Sequence, residues 1–180
     1  MSGEEAEWQE LAEAARAYCE EVLAPLVEED DAEERFRPEI MATLGEYGLC
    51  GIPTPEEYGG LGYGYQAYCR VLEEVAKVSA SYAVSIAVTG LPQFILAQMG
   101  TEQQKQRWLP GLAEGRLLGA FALSEPGSGS DAASLMSRAV RDGDDYVLDG
   151  TKFWITHGGY ADVYVVMART GASSRCSISW

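Results

Sequence analysis

The chain has 180 residues, of which 47% are apolar, with a net charge of −15, four cysteines and one histidine. That apolar content supports a sizeable core and excludes wholesale disorder, and one histidine with no C-x-x-C pair argues against the usual zinc sites. The charge is lopsided: residues 1–60 carry 17 acids and 3 bases, and residues 61–180 carry 11 and 10, so the first third repels nucleic acid and the remainder leaves room for a polyanionic ligand.

No secretory leader is read at the start, because Met1–Glu10 is acidic and has no apolar run. Widely spaced thiols (Cys19, Cys50, Cys69, Cys176) suit a reduced, cytoplasmic protein. Trp8, Leu11, Ala15, Cys19 and Val22 recur at helical spacing and predict a first helix that Pro25 ends or bends. A second helix is expected after Pro38, through Ile40, Met41 and Leu44, ending near Gly45 and Gly48. Ile52–Gly60 is rich in turn residues. Tyr68, Val71, Leu72, Val75 and Val78 mark a third helix.

Val78–Thr101 contains no charged residue and is long enough to span a bilayer. Its Gly90-Leu91-Pro92 step and its polar residues favour two shorter buried helices instead. Thr101 and Gln104 fit a capping box that opens a short helix ending near Pro110.

After Gly119 the pattern changes. Phe121–Leu123 reads as a short strand, followed by a Gly/Ser loop and an alternating strand over Met136–Val140. Asp142-Gly143 and Asp149-Gly150 are hairpin signals, with strands expected at Tyr146–Leu148, Phe153–Ile155 and Val163–Met167. The fold class is therefore α+β: an N-terminal all-helical domain (1–117), then a partial antiparallel β-barrel domain (118–170). Residues 171–180 lose the strand period and read as an atypical tail, either truncated or frame-shifted.

There is no Walker A sequence. Gly62-x-Gly64-x-x-Ala67 follows a turn-rich connector rather than a strand and has no acid about twenty residues on, so it is no dinucleotide fingerprint. Two other segments carry chemistry. Leu123-Ser-Glu-Pro-Gly-Ser-Gly-Ser-Asp131 follows a strand, and its glycines and hydroxyls can form an anion nest, although a plain Gly/Ser turn has the same composition. In Lys152-Phe-Trp-Ile-Thr-His-Gly-Gly159, Trp154 and Thr156 lie two residues apart, on one face if the segment is a strand. They suit either a planar ring with a polar edge or an ordinary core pair.

Together these segments resemble the acyl-CoA dehydrogenase family. Leu123–Asp131 fits its L-[ST]-E-P-x-[GS]-G-S-D signature, and Gly150–Thr156 is similar to its G-x-K-x-W-I-[ST]. Gly48–Pro53, Pro55–Gly60 and Gly100–Lys105 also look like the family, so the likeness runs from residue 5 to about 170. The resemblance implies FAD-dependent α,β-desaturation of acyl-CoA thioesters. Phe121, Leu123 and Ser124 would contact the isoalloxazine, and Gly129 and Ser130 the FAD phosphates, with Ser130 also facing the acyl-CoA thioester. Trp154, with Ile155 beside it, would pack on the flavin, and Thr156 would donate to flavin N5. Residues near Val84–Leu96 would line the acyl pocket.

His157 stands where the family more usually has Asn, and it is expected at the surface. The family's base is a Glu in a C-terminal helical domain to which nothing here corresponds. The chain therefore reads as an N-terminal half, with no catalytic residue and no metal assigned. The resemblance further implies an electron-transferring flavoprotein as acceptor and a homotetramer, with no membrane span and no nucleic-acid partner. Two alternatives stand beside it: a fragment that does not keep FAD, and a related acyl-CoA oxidase or flavin monooxygenase.

Overall fold

A computed structural model describes residues 3–171 and 176–179. Six helices come first: α1 (Gly3–Tyr18), α2 (Ala24–Ala32), α3 (Pro38–Glu46), α4 (Tyr65–Val78), α5 (Ala80–Met99) and α6 (Glu102–Ala113). Five strands follow: β1 (Gly119–Ala122), β2 (Arg138–Asp142), β3 (Asp145–Asp149), β4 (Val163–Arg169) and β5 (Cys176–Ser179).

The N-terminal stripe becomes a helix pair joined by one π turn, Cys19–Leu23, immediately before Pro25 at the start of α2. The wider turn buries both Cys19 and Leu23. They meet Val71 and Val75 of α4 and Met41 and Leu44 of α3 in one core. Thr101 caps α6 through the reciprocal bonds of a capping box with Gln104.

The uncharged segment forms one continuous helix, α5, rather than two. Pro92 lies inside it, at an intrinsic cost of about 3 kcal/mol. Packing offsets that cost: Pro92 is buried inside the helix, and a side chain at Gly119 of β1 would stand only 3.0 Å from its ring. The absence of one lets the strand close on the helix. Ala80–Met99 is long and apolar enough to cross a membrane. Here it packs against α4, α6 and β1, with Ile86, Thr89, Gln93 and Leu96 among its buried residues. Likewise α6 runs past Pro110 to Ala113.

Gln93 ties this region together. Its amide nitrogen donates to the carbonyls of Cys50 (3.0 Å) and Thr89 (3.2 Å), and its oxygen accepts from the Thr54 hydroxyl at 2.5 Å.

The sheet is open, as expected of a partial barrel, but it is mixed rather than antiparallel. Its order is β1-β4-β2-β3, with β5 on β4. β1 runs parallel to β4, Gly119 opposite Val163 through Ala122 opposite Val166. Only the β2–β3 hairpin and the β4–β5 pair are antiparallel. A parallel β1–β4 pair requires the long crossover that the intervening forty residues provide, and alternation within each strand does not report it. The hairpin has a two-residue loop, Gly143 taking φ 64° at its first position. Asp149-Gly150 makes a bend instead of a second hairpin. A side chain at Gly150 would meet the Ser137 hydroxyl at 2.3 Å, so glycine allows the chain to pass over β2.

Phe153–Ile155 is not a strand either: Trp154 has a left-handed φ of 57°, and the segment is held to the Gly/Ser loop by a single backbone bond. Much of the expected tail lies outside the described residues, and Cys176–Ser179 within it forms β5.

Replacing Gln93 with Leu should lower stability by about 2–3 kcal/mol, because the Cys50 carbonyl and the Thr54 hydroxyl are left buried and unpaired. Urea unfolding at neutral pH measures this.

Candidate functional site

The loop after β1 and the segment before β4 lie side by side, and three bonds explain why. The Phe153 amide donates to the Ser124 carbonyl at 2.8 Å. The Lys152 ammonium donates to the Leu123 carbonyl at 2.9 Å and to the Glu125 carboxylate at 2.8 Å. Side-chain exposures of 13% for Lys152 and 6% for Glu125 make this a largely desolvated ion pair. Glu125 also accepts from the amides of Met136 (2.6 Å) and Ser137 (2.9 Å), which fixes the far end of the loop to the entry of β2.

Burial pushes the Glu125 carboxyl up. The bond from Lys152 and those from the Met136 and Ser137 amides outweigh it and hold the group down at about 2. Within the loop, Glu125 and Ser128 exchange backbone bonds and the Ser128 hydroxyl donates to the Asp131 carbonyl at 2.7 Å.

The eight sequence-predicted residues divide into three sets. Phe121, Leu123, Ser124, Ile155 and Thr156 are half-buried along the junction, and Gly129 and Ser130 stand at the exposed loop tip. Trp154 is 87% exposed, its indole edge-on to Phe153 at 5.0 Å. Trp154 and Thr156 do not share a strand face, since the left-handed turn replaces the strand. Among the described residues the hydroxyls of Ser124, Ser130 and Thr156 make no hydrogen bond, so they remain free as donors. Nothing would crowd a side chain at Gly127 or Gly129. An uncovered indole, a half-buried apolar floor, free hydroxyl donors and an open glycine loop together fit a planar ring attached to a phosphate chain.

His157 corrects the sequence reading, being 7% exposed rather than at the surface. A left-handed φ of 62° turns its ring inward, where Nδ1 lies 3.0 Å from the Gly119 carbonyl. A carbonyl only accepts, so Nδ1 carries the proton and Nε2 the lone pair. Nε2 is buried without a partner. The ring packs on Phe36, centroids 5.3 Å apart. Its spacing in the sequence gave no sign of this contact, which joins the two halves of the chain.

Phe36 from the α2–α3 connector and Ala80, Ser81, Val84 and Ser85 from α5 line an open cavity of about 460 Å³ together with Thr156, His157 and Tyr160. Val84, Leu91 and Phe94 leave an exposed apolar face on α5.

Residues 5–116 match the family model "Acyl-CoA dehydrogenase, N-terminal domain", and residues 120–180 match "Acyl-CoA dehydrogenase, middle domain". A short-chain specific acyl-CoA dehydrogenase of Clostridium acetobutylicum is 40% identical over 156 residues, covering 86% of this chain and 41% of that protein. Among solved structures, butyryl-CoA dehydrogenase from Megasphaera elsdenii superposes with a TM-score of 0.86 at 37% identity, over 91% of this chain and 44% of that one. A glutaryl-CoA dehydrogenase from Mycobacterium smegmatis in complex with FADH2 gives 0.87 at 34% identity, over 91% and 42%. The chain thus spans about two-fifths of the length of these relatives.

Two outcomes follow. Lys152→Met should cost about 3 kcal/mol, because it leaves the Glu125 carboxylate buried and unpaired; the shift in thermal unfolding reports it. Burial lowers the His157 pKa, with the Gly119 carbonyl opposing. The neutral ring is the folded form, so its stabilisation is complete above the ordinary value of about 6.5 and is lost as pH falls through that value towards the folded one. The urea midpoint of the wild type should therefore drop between about pH 7.5 and pH 5.5, and His157→Gln should flatten that drop. Glu125, held at about 2, titrates well below this window.

Proposed function

We propose, from the premise that this chain belongs to the acyl-CoA dehydrogenase family, that it supplies the acyl-facing helices and the flavin loop of an FAD-dependent oxidoreductase that desaturates acyl-CoA thioesters. One observation supports this reading: Lys152 and the Phe153 amide are bonded to Leu123–Glu125, so the segment that carries Trp154, Ile155 and Thr156 begins beside the loop that carries Leu123 and Ser124.

FAD, when bound, supplies the hydride acceptor. The chain's own residues bind and orient. Ser124 and Thr156 would offer hydroxyl donors to the polar edge of the ring, and Phe121, Leu123 and Ile155 would provide apolar surface beneath it. Trp154 would supply its exposed indole as an aromatic partner. Gly129 and Ser130 would hold the diphosphate, with Ser130 also facing the thioester. The exposed face of α5, with Val84 and Leu91, takes the acyl chain. The nearly neutral balance of residues 61–180 leaves room for the phosphates of FAD and coenzyme A.

Neither acid of the loop suits removal of the α-proton. Glu125 is locked to Lys152 and held at about 2, far from the operating pH of a general base. Asp131 is exposed and bonded by the Ser134 hydroxyl. In this reading the base comes from outside these 180 residues. The acceptor is an electron-transferring flavoprotein, the assembly a homotetramer and the setting cytoplasmic.

The test is titration of the chain with FAD, followed by flavin fluorescence and gel filtration. The expected result is a retained yellow complex, and Thr156→Val should weaken binding about fivefold by loss of one hydrogen bond worth about 1 kcal/mol. A chain that holds no FAD would overturn the reading.

A further inference from the structure

Asp30 is placed against its own preferences. It lies near the C-terminal end of α2, where the helix dipole opposes a carboxylate, and its side chain is only 6% exposed. The compensation is a fork. Arg37 donates through Nε at 2.7 Å and through a terminal nitrogen at 2.8 Å to the two carboxylate oxygens. For Arg37 to return to Asp30 the chain must reverse within a few residues, and Glu34 takes a left-handed φ of 51° to do so. The Arg37 backbone is held as well: its amide donates to the Tyr82 hydroxyl of α5 at 3.2 Å, and Pro38 follows as the first residue of α3.

Phe36 sits directly before this anchored residue and is the hub of four rings. Its centroid lies 5.8 Å from Tyr82, 5.3 Å from His157 and 5.2 Å from Tyr160. It also lines two cavities. The one of about 460 Å³ contains Thr156 and His157, and the one of about 250 Å³ contains Asp30 and Tyr82. Phe36 therefore borders both the cavity that holds Thr156 and the one that holds Asp30. The imidazole of His157 makes a single hydrogen bond, at Nδ1, and its Nε2 has none. The Phe36 ring, tilted 31° to the imidazole at 5.3 Å, is an aromatic surface packed against it and helps to fix its plane.

We propose that Asp30 and Arg37 are positioning residues for the Thr156 end of the flavin site: the buried fork fixes Phe36, and Phe36 fixes the ring of His157, the residue that follows Thr156. This rests on the reading of Thr156 as a flavin donor given above. The ion pair touches neither flavin nor substrate; it acts through two rings packed in series. Loss of the fork frees Phe36, lets the imidazole turn away from the Gly119 carbonyl, and loosens the turn that carries the Thr156 hydroxyl.

His157 is the only histidine in the chain, so the imidazole nitrogen signals of the uniformly ¹⁵N-labelled full chain report it without assignment. The wild type should show one Nδ1–H tautomer. Arg37→Gln and Phe36→Leu should each give mixed tautomers and weaken FAD binding several-fold. Arg37→Lys, which keeps the charge but not the fork, should fall between them and the wild type. Glu74→Gln, which breaks the exposed Lys77 pair, should change neither readout. If Arg37→Gln does not fold, Phe36→Leu and Arg37→Lys decide the matter.

Unchanged imidazole signals and FAD affinity in folded Arg37 and Phe36 variants, with Thr156→Val still weakening FAD, would overturn the positioning role and leave the flavin reading intact. A wild-type chain that holds no FAD, or a Thr156→Val chain that binds it unaltered, would remove the flavin reading and this inference with it. Movement of both readouts in the Arg37 and Phe36 variants, and in neither for Glu74→Gln, supports it.

Discussion

A twenty-residue helix without a single charge has to be covered, and the rest of the molecule is arranged around that requirement. α4 and α6 cover two sides of α5, and β1 closes on a third where Gly119 makes room for Pro92. Because β1 belongs to the sheet, the helical part and the β part are built on one helix instead of joined by a linker. The side of α5 left uncovered, with Val84, Leu91 and Phe94, is the side that faces the junction cavity or solvent.

The same helix sets the position of the site. β1 leaves α5 and runs directly into the Gly/Ser loop, so that loop begins from a fixed point. Its other end is held by Glu125, whose carboxylate collects two amides and one ammonium. A chelated carboxylate of this kind contributes geometry, not proton transfer. This explains how one conspicuous acid can sit in the middle of the Gly/Ser loop and still be unsuited to base catalysis.

Much of this was legible in the sequence, and the reasons differ by element. Helices announced themselves where the stripe was long, as in Tyr68-Val71-Val75, or where a local device closed on itself, as in Thr101 and Gln104. The β2–β3 hairpin followed from Asp142-Gly143 because a two-residue loop is a local event. What failed was non-local. Pro92 marks a break, but the helix continues through it, and Gly119, distant in sequence, lets β1 pack on the proline ring. Trp154 and Thr156 had strand spacing, yet one bond from Phe153 to Ser124 and a left-handed turn replaced the strand. The parallel pairing of β1 with β4 leaves no mark in either strand. His157 was misplaced because burial of a lone histidine depends on its partner, and Phe36 lies more than a hundred residues away. Of the site, the residue types were readable from the two motifs. The Lys152–Glu125 joint that brings those motifs together was not.

The hairpin has a further consequence. β3 is the outermost strand of the sheet, all five of its residues are exposed, and its centre is Tyr146-Val147-Leu148. Such a strand is a template for pairing with a second chain. Here it is flanked by Asp144 and Asp145 on one side and Asp149 on the other, so any like strand approaching in antiparallel register brings carboxylate against carboxylate. Charges in these places oppose edge-to-edge pairing, a constraint separate from the joint between the Gly/Ser loop and Lys152.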